Sequence, residues 1–374
     1  MTGVLKQTMD ERADRLGGAP VDLDAITREG DRRVRRRRLG GLAAGAVLTV
    51  AVAGVALPQV LGGGAGHDRG DIAVSTAEPV TYAVGSVIHH DGTTTDVGHP
   101  VFAFVQTSAG FVSADKDGTV WSTTDTGTDQ VGEGLDFDAG RVLVADGSRA
   151  AWLQQGPDGG SELVVVDQAD SGGTSSGSGS SSGGTGRAPG DRAPGVDAID
   201  GATVYYRDQQ GLVAYDATTG ESRVLDPSGR TVVEDAEGGL LLHQREDSQR
   251  TVASTDISAA EPRVGTDGGD LSPDARFVMS ENSATSSDDF TLLEVATGKD
   301  FAPAEEKDYG FFLGYAWSGD DTYTAFGMQI KDGDPVASAI DLLVCTASSR
   351  SCTVVERGLD FTEMQFPIGE HVGG

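Results

Sequence analysis

Residues 211–225 read GLVAYDATTGESRVL: an apolar run, an acidic residue, a Thr/Gly turn and a second extended run. The same pattern recurs as TVWSTTDTGTDQV at 119–131 and FTLLEVATGKDFA at 290–302. Weaker forms are ELVVVDQAD at 162–170, TVASTDISAAEPRV at 251–264 and LLVCTASSRSCTVV at 342–355. A second element, LSPDARFVMS at 271–280, is echoed by AWSGDDTYTAFG at 316–327, which places Ser272 and Ser318 about 46 residues apart. Each unit is too short to bury its own apolar face. Stacked repeats of about 40–50 residues with four strands each have the size of propeller blades.

Working outward from these units, residues from Pro79 to about Gly369 alternate short β-branched and aromatic runs with Gly, Asp, Asn, Ser and Thr. Helical periodicity is almost absent, so the domain at 79–370 reads as all-β. Six units fall near 101–135, 136–170, 196–226, 231–265, 269–304 and 312–357. The hairpin at 80–98 and the segment at 359–368 are left over. Joined in one sheet they would make a seventh blade and remove the exposed edges of an open array. The expectation is a β-propeller of seven blades, with six as the alternative. One stretch breaks the pattern: 171–195, SGGTSSGSGSSSGGTGRAPGDRAPG, which has no apolar residue beyond Ala. Such a composition cannot offset its own ordering entropy, so it is expected to be a disordered insertion in a blade loop.

The openings Leu271-Ser272-Pro273-Asp274-Ala275-Arg276-Phe277 and Trp317-Ser318-Gly319-Asp320-Asp321 resemble the blade starts of WD40-like and TolB-like β-propellers. No blade carries the full Gly-His…Trp-Asp set. The resemblance implies a fold and no activity.

The rest of the chain sets where the domain works. Leu39–Leu61, LGGLAAGAVLTVAVAGVALPQVL, contains no charge, and the part before Pro58 spans about 28 Å as a helix, close to a bilayer core of about 30 Å. Arg32, Arg33, Arg35, Arg36, Arg37 and Arg38 precede it, and by the positive-inside bias they put the N-terminus in the cytoplasm. A cleaved signal peptide would need an n-region far longer than usual. The expected layout is a cytoplasmic tail (1–38), a single transmembrane helix (39–61), a juxtamembrane linker (62–78) and an extracytoplasmic propeller. The tail MTGVLKQTMDERADRL…DLDAITREGDRRVRRRR resembles the leader of actinobacterial membrane propellers that accompany sigma factors. That resemblance implies a cytoplasmic regulator as its partner.

Formal charge divides along the same line. The whole chain carries −30, yet residues 1–38 hold ten Lys and Arg against seven Asp and Glu. The remainder is strongly acidic, which argues against nucleic acid as a partner. Cys345 and Cys352 bracket a polar turn between two β-rich arms, so a cross-hairpin disulfide is expected, in keeping with export.

No catalytic residues, metal ligands or cofactor motif emerge. The six histidines form no H-E-x-x-H, and no G-x-S-x-G, P-loop or dinucleotide fingerprint appears. His89 and His90 sit before the Asp91-Gly92 turn and should point to opposite faces of a strand. Asp115-Lys116-Asp117-Gly118 and Asp332-Gly333-Asp334 read as tight turns rather than calcium loops. Trp121, Trp152 and Trp317 are expected to pack between blades. These observations favour a tethered binding, sensing or scaffold module for an envelope protein or glycan. The alternative is an exported propeller hydrolase or lyase acting on envelope polymers, since propeller sites assembled from several loops leave no local motif.

Overall fold

The computed structural model describes residues 80–370, apart from 91, 134–136, 138–140, 157–159, 170–178, 181–192, 246–249, 255–256, 258–263, 267–268, 283–288 and 332–333. The expected tail, span and linker (1–78), with the six flanking arginines, lie outside the described residues. Among the described residues no helix is long and apolar enough to cross a membrane.

The chain forms an all-β propeller of four-stranded antiparallel sheets, six of them built from consecutive strands. The first takes β4 (Ala103–Thr107), β5 (Gly110–Ala114), β6 (Val120–Thr124) and β7 (Gly127–Gly132). The second takes β8 (Val144–Asp146), β9 (Arg149–Gln155), β10 (Ser161–Asp167) and β11 (Gly179–Ser180). The third takes β12 (Gly195–Asp200), β13 (Thr203–Asp208), β14 (Gly211–Asp216) and β15 (Glu221–Asp226). The fourth takes β16 (Thr231–Glu237), β17 (Leu240–Arg245), β18 (Arg250–Ser254) and β19 (Val264–Thr266). The fifth takes β20 (Asp270–Leu271), β21 (Phe277–Asn282), β22 (Asp289–Glu294) and β23 (Lys299–Phe301). The sixth takes β24 (Phe311–Gly319), β25 (Thr322–Lys331), β26 (Asp334–Thr346) and β27 (Ser351–Asp360).

A further sheet joins the two ends of the domain. The short strand β28 (Met364–Gln365) pairs with β1 (Tyr82–Val84), which continues to β2 (Val87–His90) and β3 (Thr93–Asp96). The leftover hairpin and the leftover C-terminal segment therefore do meet.

Alternation along each strand sends side chains to both neighbours, and apolar clusters fill each gap. Ala83, Ile88, Phe104 and Phe111 join the composite sheet to β4–β7. Val112, Trp152 and Val164 form the next gap, Leu163, Val204 and Tyr215 the one after, and Tyr205, Leu212 and Leu241 the one beyond. Leu242, Val278 and Leu293 follow, then Phe290, Phe312 and Leu343. Tyr82, Phe326, Met364 and Phe366 bring the sequence of clusters back to the composite sheet. The ring is closed by packing as well as by pairing.

The expected insertion at 171–195 needs correction at two points. Gly179 and Ser180 pair with Leu163 and Glu162 as the outer strand of their sheet, and Gly195 already belongs to β12. An outer strand is held by backbone hydrogen bonds and needs no apolar side chain, so composition alone misses it. The outer strands TTTD in β3 and GTDQVG in β7 carry no hydrophobic alternation either, and are placed by the hairpin at 80–98 and the repeat at 119–131. The apolar run Arg141–Asp146 reads as one strand, yet only Val144–Asp146 joins the sheet. Val142 and Leu143 instead donate their N–H groups to Gly369 O.

Candidate functional site: a carboxylate-rimmed cavity

A cavity of about 570 Å³ lies where the inner strands end. Its walls come from Thr81 and His90, Val105–Ser108, Leu143–Gly147, Ala198–Ile199, Asp235 and Glu237, Asp270, Leu271 and Pro273, Tyr315–Asp320 and Pro367–Ile368. Every sheet contributes, so the site has no local sequence signature. Cavities of 300–1,000 Å³ are the size that encloses a small ligand or one side chain of a partner.

Its floor is built around Arg141. The guanidinium donates through Nη1 to Glu234 O at 2.9 Å and Asp197 O at 3.3 Å, and through Nη2 to Asp270 Oδ1 at 3.2 Å. Glu370 stands 3.8 Å from Nε. One cation thereby ties the inner strands β12, β16 and β20 to the C-terminal segment. Burial works against the charge, but Asp270, Glu370 and Asp235 outweigh it and hold the pKa above the ordinary arginine value. The same segment is locked by Gly369, whose N–H donates to Phe104 O at 3.0 Å. A Cβ on Gly369 would stand 1.8 Å from Leu143 O, and its φ of 70° is one that side chains avoid, so only glycine fits.

The rim is acidic. Asp146, Asp200 and Glu237 end β8, β12 and β16 at the same hairpin position, paired with Arg149, Thr203 and Leu240 respectively. Asp146 Oδ2 accepts from Gly201 N at 2.6 Å and Asp200 Oδ2 accepts from Gly239 N at 2.9 Å. Each acid thus caps the turn of the next sheet. In the following turn, Ser272–Ala275, no amide is hydrogen-bonded to Glu237, and Pro273 has no N–H. The Glu237 carboxyl has no hydrogen-bond partner among the described residues. Burial, then the charges of Asp235, Asp146, Asp200 and Asp270, push it up to about 9. Asp235 accepts from Leu271 N at 2.6 Å, and its carboxyl is also raised, by burial and by Asp270.

Other buried polar groups serve the walls. Asp197 is paired with Arg207 through both carboxylate oxygens at 2.9–3.0 Å, and burial raises it to about 6 against that pairing. Ser272 Oγ donates to Asp274 Oδ1 at 2.9 Å and accepts from the N–H groups of Arg276 and Phe277. This stitches the Ser-Pro-Asp turn, with Ala275 at φ 54° where a glycine would sit at ease.

One grouping imitates a catalytic one. His99 Nε2 stands 3.1 Å from Ser113 Oγ, and its Nδ1 stands 3.0 Å from Val97 O. The ring stacks on Trp121 at 4.9 Å, and Asp115 is close enough to act on the imidazole charge. Ser113 is fully buried, so no substrate reaches its hydroxyl. Burial is also the largest influence on His99 and lowers its pKa. This set braces β5 and β6.

Of the residues singled out from sequence, His90 and parts of the two blade openings, Leu271, Pro273 and Trp317–Asp320, line the cavity. His90 lines it, with Nδ1 2.8 Å from Thr81 Oγ1. His89 stacks on Tyr82 while His90 packs edge-on to Phe111, so the two do face opposite ways. Trp152 is fully buried between sheets, and Trp317 Nε1 donates to Asp270 O at 3.1 Å beside the cavity. Asp115 caps its own turn by accepting from the N–H groups of Asp117 and Thr119. Asp332 and Gly333 lie outside the described residues. Among the described residues no cluster of three His, Cys, Asp or Glu is arranged to hold a metal. Cys345 and Cys352 sit directly opposite each other on β26 and β27 and are joined in a disulfide.

No family model and no curated protein matches the sequence. Solved structures do share its architecture at a distance. TolB from Acinetobacter baumannii is 10% identical, with 76% of this chain and 65% of that chain covered and a TM-score of 0.39. AztD from Citrobacter koseri is 11% identical over 76% of this chain and 96% of that chain, at a TM-score of 0.43. PorZ, a surface component of the type-IX secretion system of Porphyromonas gingivalis, is 14% identical over 76% of this chain and 38% of that one, at 0.43. The chain thus spans about two thirds of the Acinetobacter protein. These are likenesses of β-propeller architecture, and no activity is carried across from them.

Proposed function

We propose that this protein is a membrane-tethered extracytoplasmic propeller of seven blades that binds a ligand in the cavity at the ends of its inner strands. The observation that carries the reading is the cavity itself: concave, contributed to by every sheet, and lined by carboxyl groups whose pKa values are displaced. The composite sheet counts as the seventh blade, supported by its apolar contacts with both neighbours. The tether rests on Leu39–Leu61 and on Arg32, Arg33 and Arg35–Arg38 before it. Export is supported by the disulfide. In this reading the cavity meets an envelope ligand and the basic tail meets a cytoplasmic regulator.

Ser108 is exposed on the cavity wall and suits a reporter. A fluorophore on Ser108→Cys in the detergent-solubilised full chain is expected to respond saturably to at least one class among amines, carboxylates, saccharides and short peptides. Silence towards all four sinks the binding role. The topology is tested separately by protease digestion of intact spheroplasts, which should remove the propeller and spare the tail.

A further inference from the structure

We propose that the seam between the third and fourth sheets is an acid-operated joint, in which protonation of His243 loosens β16 and β17 and, with them, one wall of the cavity. The repeats share one position here. In the third, fourth and sixth sheets the two inner strands slip register by one residue, and the side chain opposite the residue before the slip is Tyr206, His243 or Ala325. Tyr206 packs among apolar residues of the second and third sheets, and Ala325 among those of the fifth and sixth. The position turns towards the preceding sheet and serves packing. In the fourth sheet it holds a histidine only 7% exposed, with no hydrogen-bond partner at Nδ1 or Nε2. Leu241, two residues earlier on the same face, packs with Tyr205 and Leu212 of the third sheet, as does Val233 opposite the ring.

A neutral imidazole carries one donor and one acceptor, and leaving both unmet in a packed seam is already unfavourable. Protonation adds a charge and a second N–H, and no acid acts on the ring to offset them. The one charge that does act is Arg245, two residues along the same strand, and it works in the same direction as burial, lowering the pKa. Thr251 stands opposite on β18. Across the seam Asp197 is paired with Arg207, Asp226 is bonded to Thr231, the Tyr205 hydroxyl is kept neutral by burial, and Arg223 is exposed. A charged ring therefore gains water only when the seam opens. Such an opening reaches the cavity through β16. Val233 is followed by Glu234, whose carbonyl accepts from Arg141, and then by Asp235 on the cavity wall.

Hydrogen–deuterium exchange of the detergent-solubilised full chain at about pH 7.5 and about pH 5, corrected for intrinsic amide rates, tests the joint. Amides of β16 and β17 are expected to exchange at least about tenfold faster at the lower pH, while those of β25 and β26 in the sixth sheet change by less than about twofold. His243→Leu should abolish the difference, and so should His243→Tyr, which reproduces the third sheet's residue. Equal protection of β16 and β17 at the two pH values overturns the joint. So does a difference that persists in either folded variant, because another group then carries it. A rise of the same size in β25 and β26 is general acid loosening and overturns it as well. Where neither variant keeps native circular dichroism, the contrast between the fourth and sixth sheets in the unaltered chain decides alone. None of these outcomes depends on a ligand in the cavity.

Discussion

The floor and the rim of the cavity are made from the same residue types and have opposite character. In the floor every charge has a partner: Arg141 is surrounded by Asp270, Glu370 and two backbone carbonyls. At the rim two acids are matched to turn amides and the third is not. The neighbouring turn, Ser272–Ala275, contains a proline and gives Glu237 no amide hydrogen bond. A propeller can thus be rigid where its sheets meet and still leave one group unpaired, because each rim position depends on the next sheet.

Breaking the floor should have the largest effect. Arg141→Ala leaves Asp270 and Asp235 without their cation in a half-buried site, where solvent screens part of the loss, and is expected to cost about 1–3 kcal/mol, read from urea unfolding. The next test concerns the rim's dependence on pH. Glu237 has a folded pKa near 9 against an ordinary 4.5, so the folded state holds the extra proton between those values. Its contribution to stability is complete below about 4.5 and is lost as pH rises towards 9. Thermal melts of Glu237→Gln should lose that part of the decline, and an unchanged slope would refute the unmatched carboxyl. His243 gives the opposite sign. It is buried with neither ring nitrogen hydrogen-bonded, and burial lowers its pKa from the ordinary 6.5. Stability from this group should fall as pH drops below about 6.5, and His243→Leu should flatten that acid limb.

Smaller changes sharpen the contrast. Asp200→Ala removes one carboxylate cap from a partly exposed turn and is expected to cost about 1 kcal/mol. Ala275→Gly relieves a left-handed alanine in the turn facing Glu237 and should gain at most about 1 kcal/mol, since the lost methyl offsets part of it.

The chain's pattern made the repeat legible because each strand's apolar residues report directly on burial. That is why the six units and the two leftover segments could be placed from sequence. The polar outer strand β11 was not legible, since backbone pairing holds it and leaves no side-chain signal. Nor was the disposition of Arg141, which looked like the start of a strand.

The sequence by itself determined the all-β repeat, the acidic character of the domain and the pairing of Cys345 with Cys352, because each follows from local spacing or composition. Only the tertiary structure decided the cavity. Glu237, Pro273, Tyr315 and Arg141 are scattered between positions 141 and 315 of the sequence, and they come together because the ring brings the ends of every inner strand to one place.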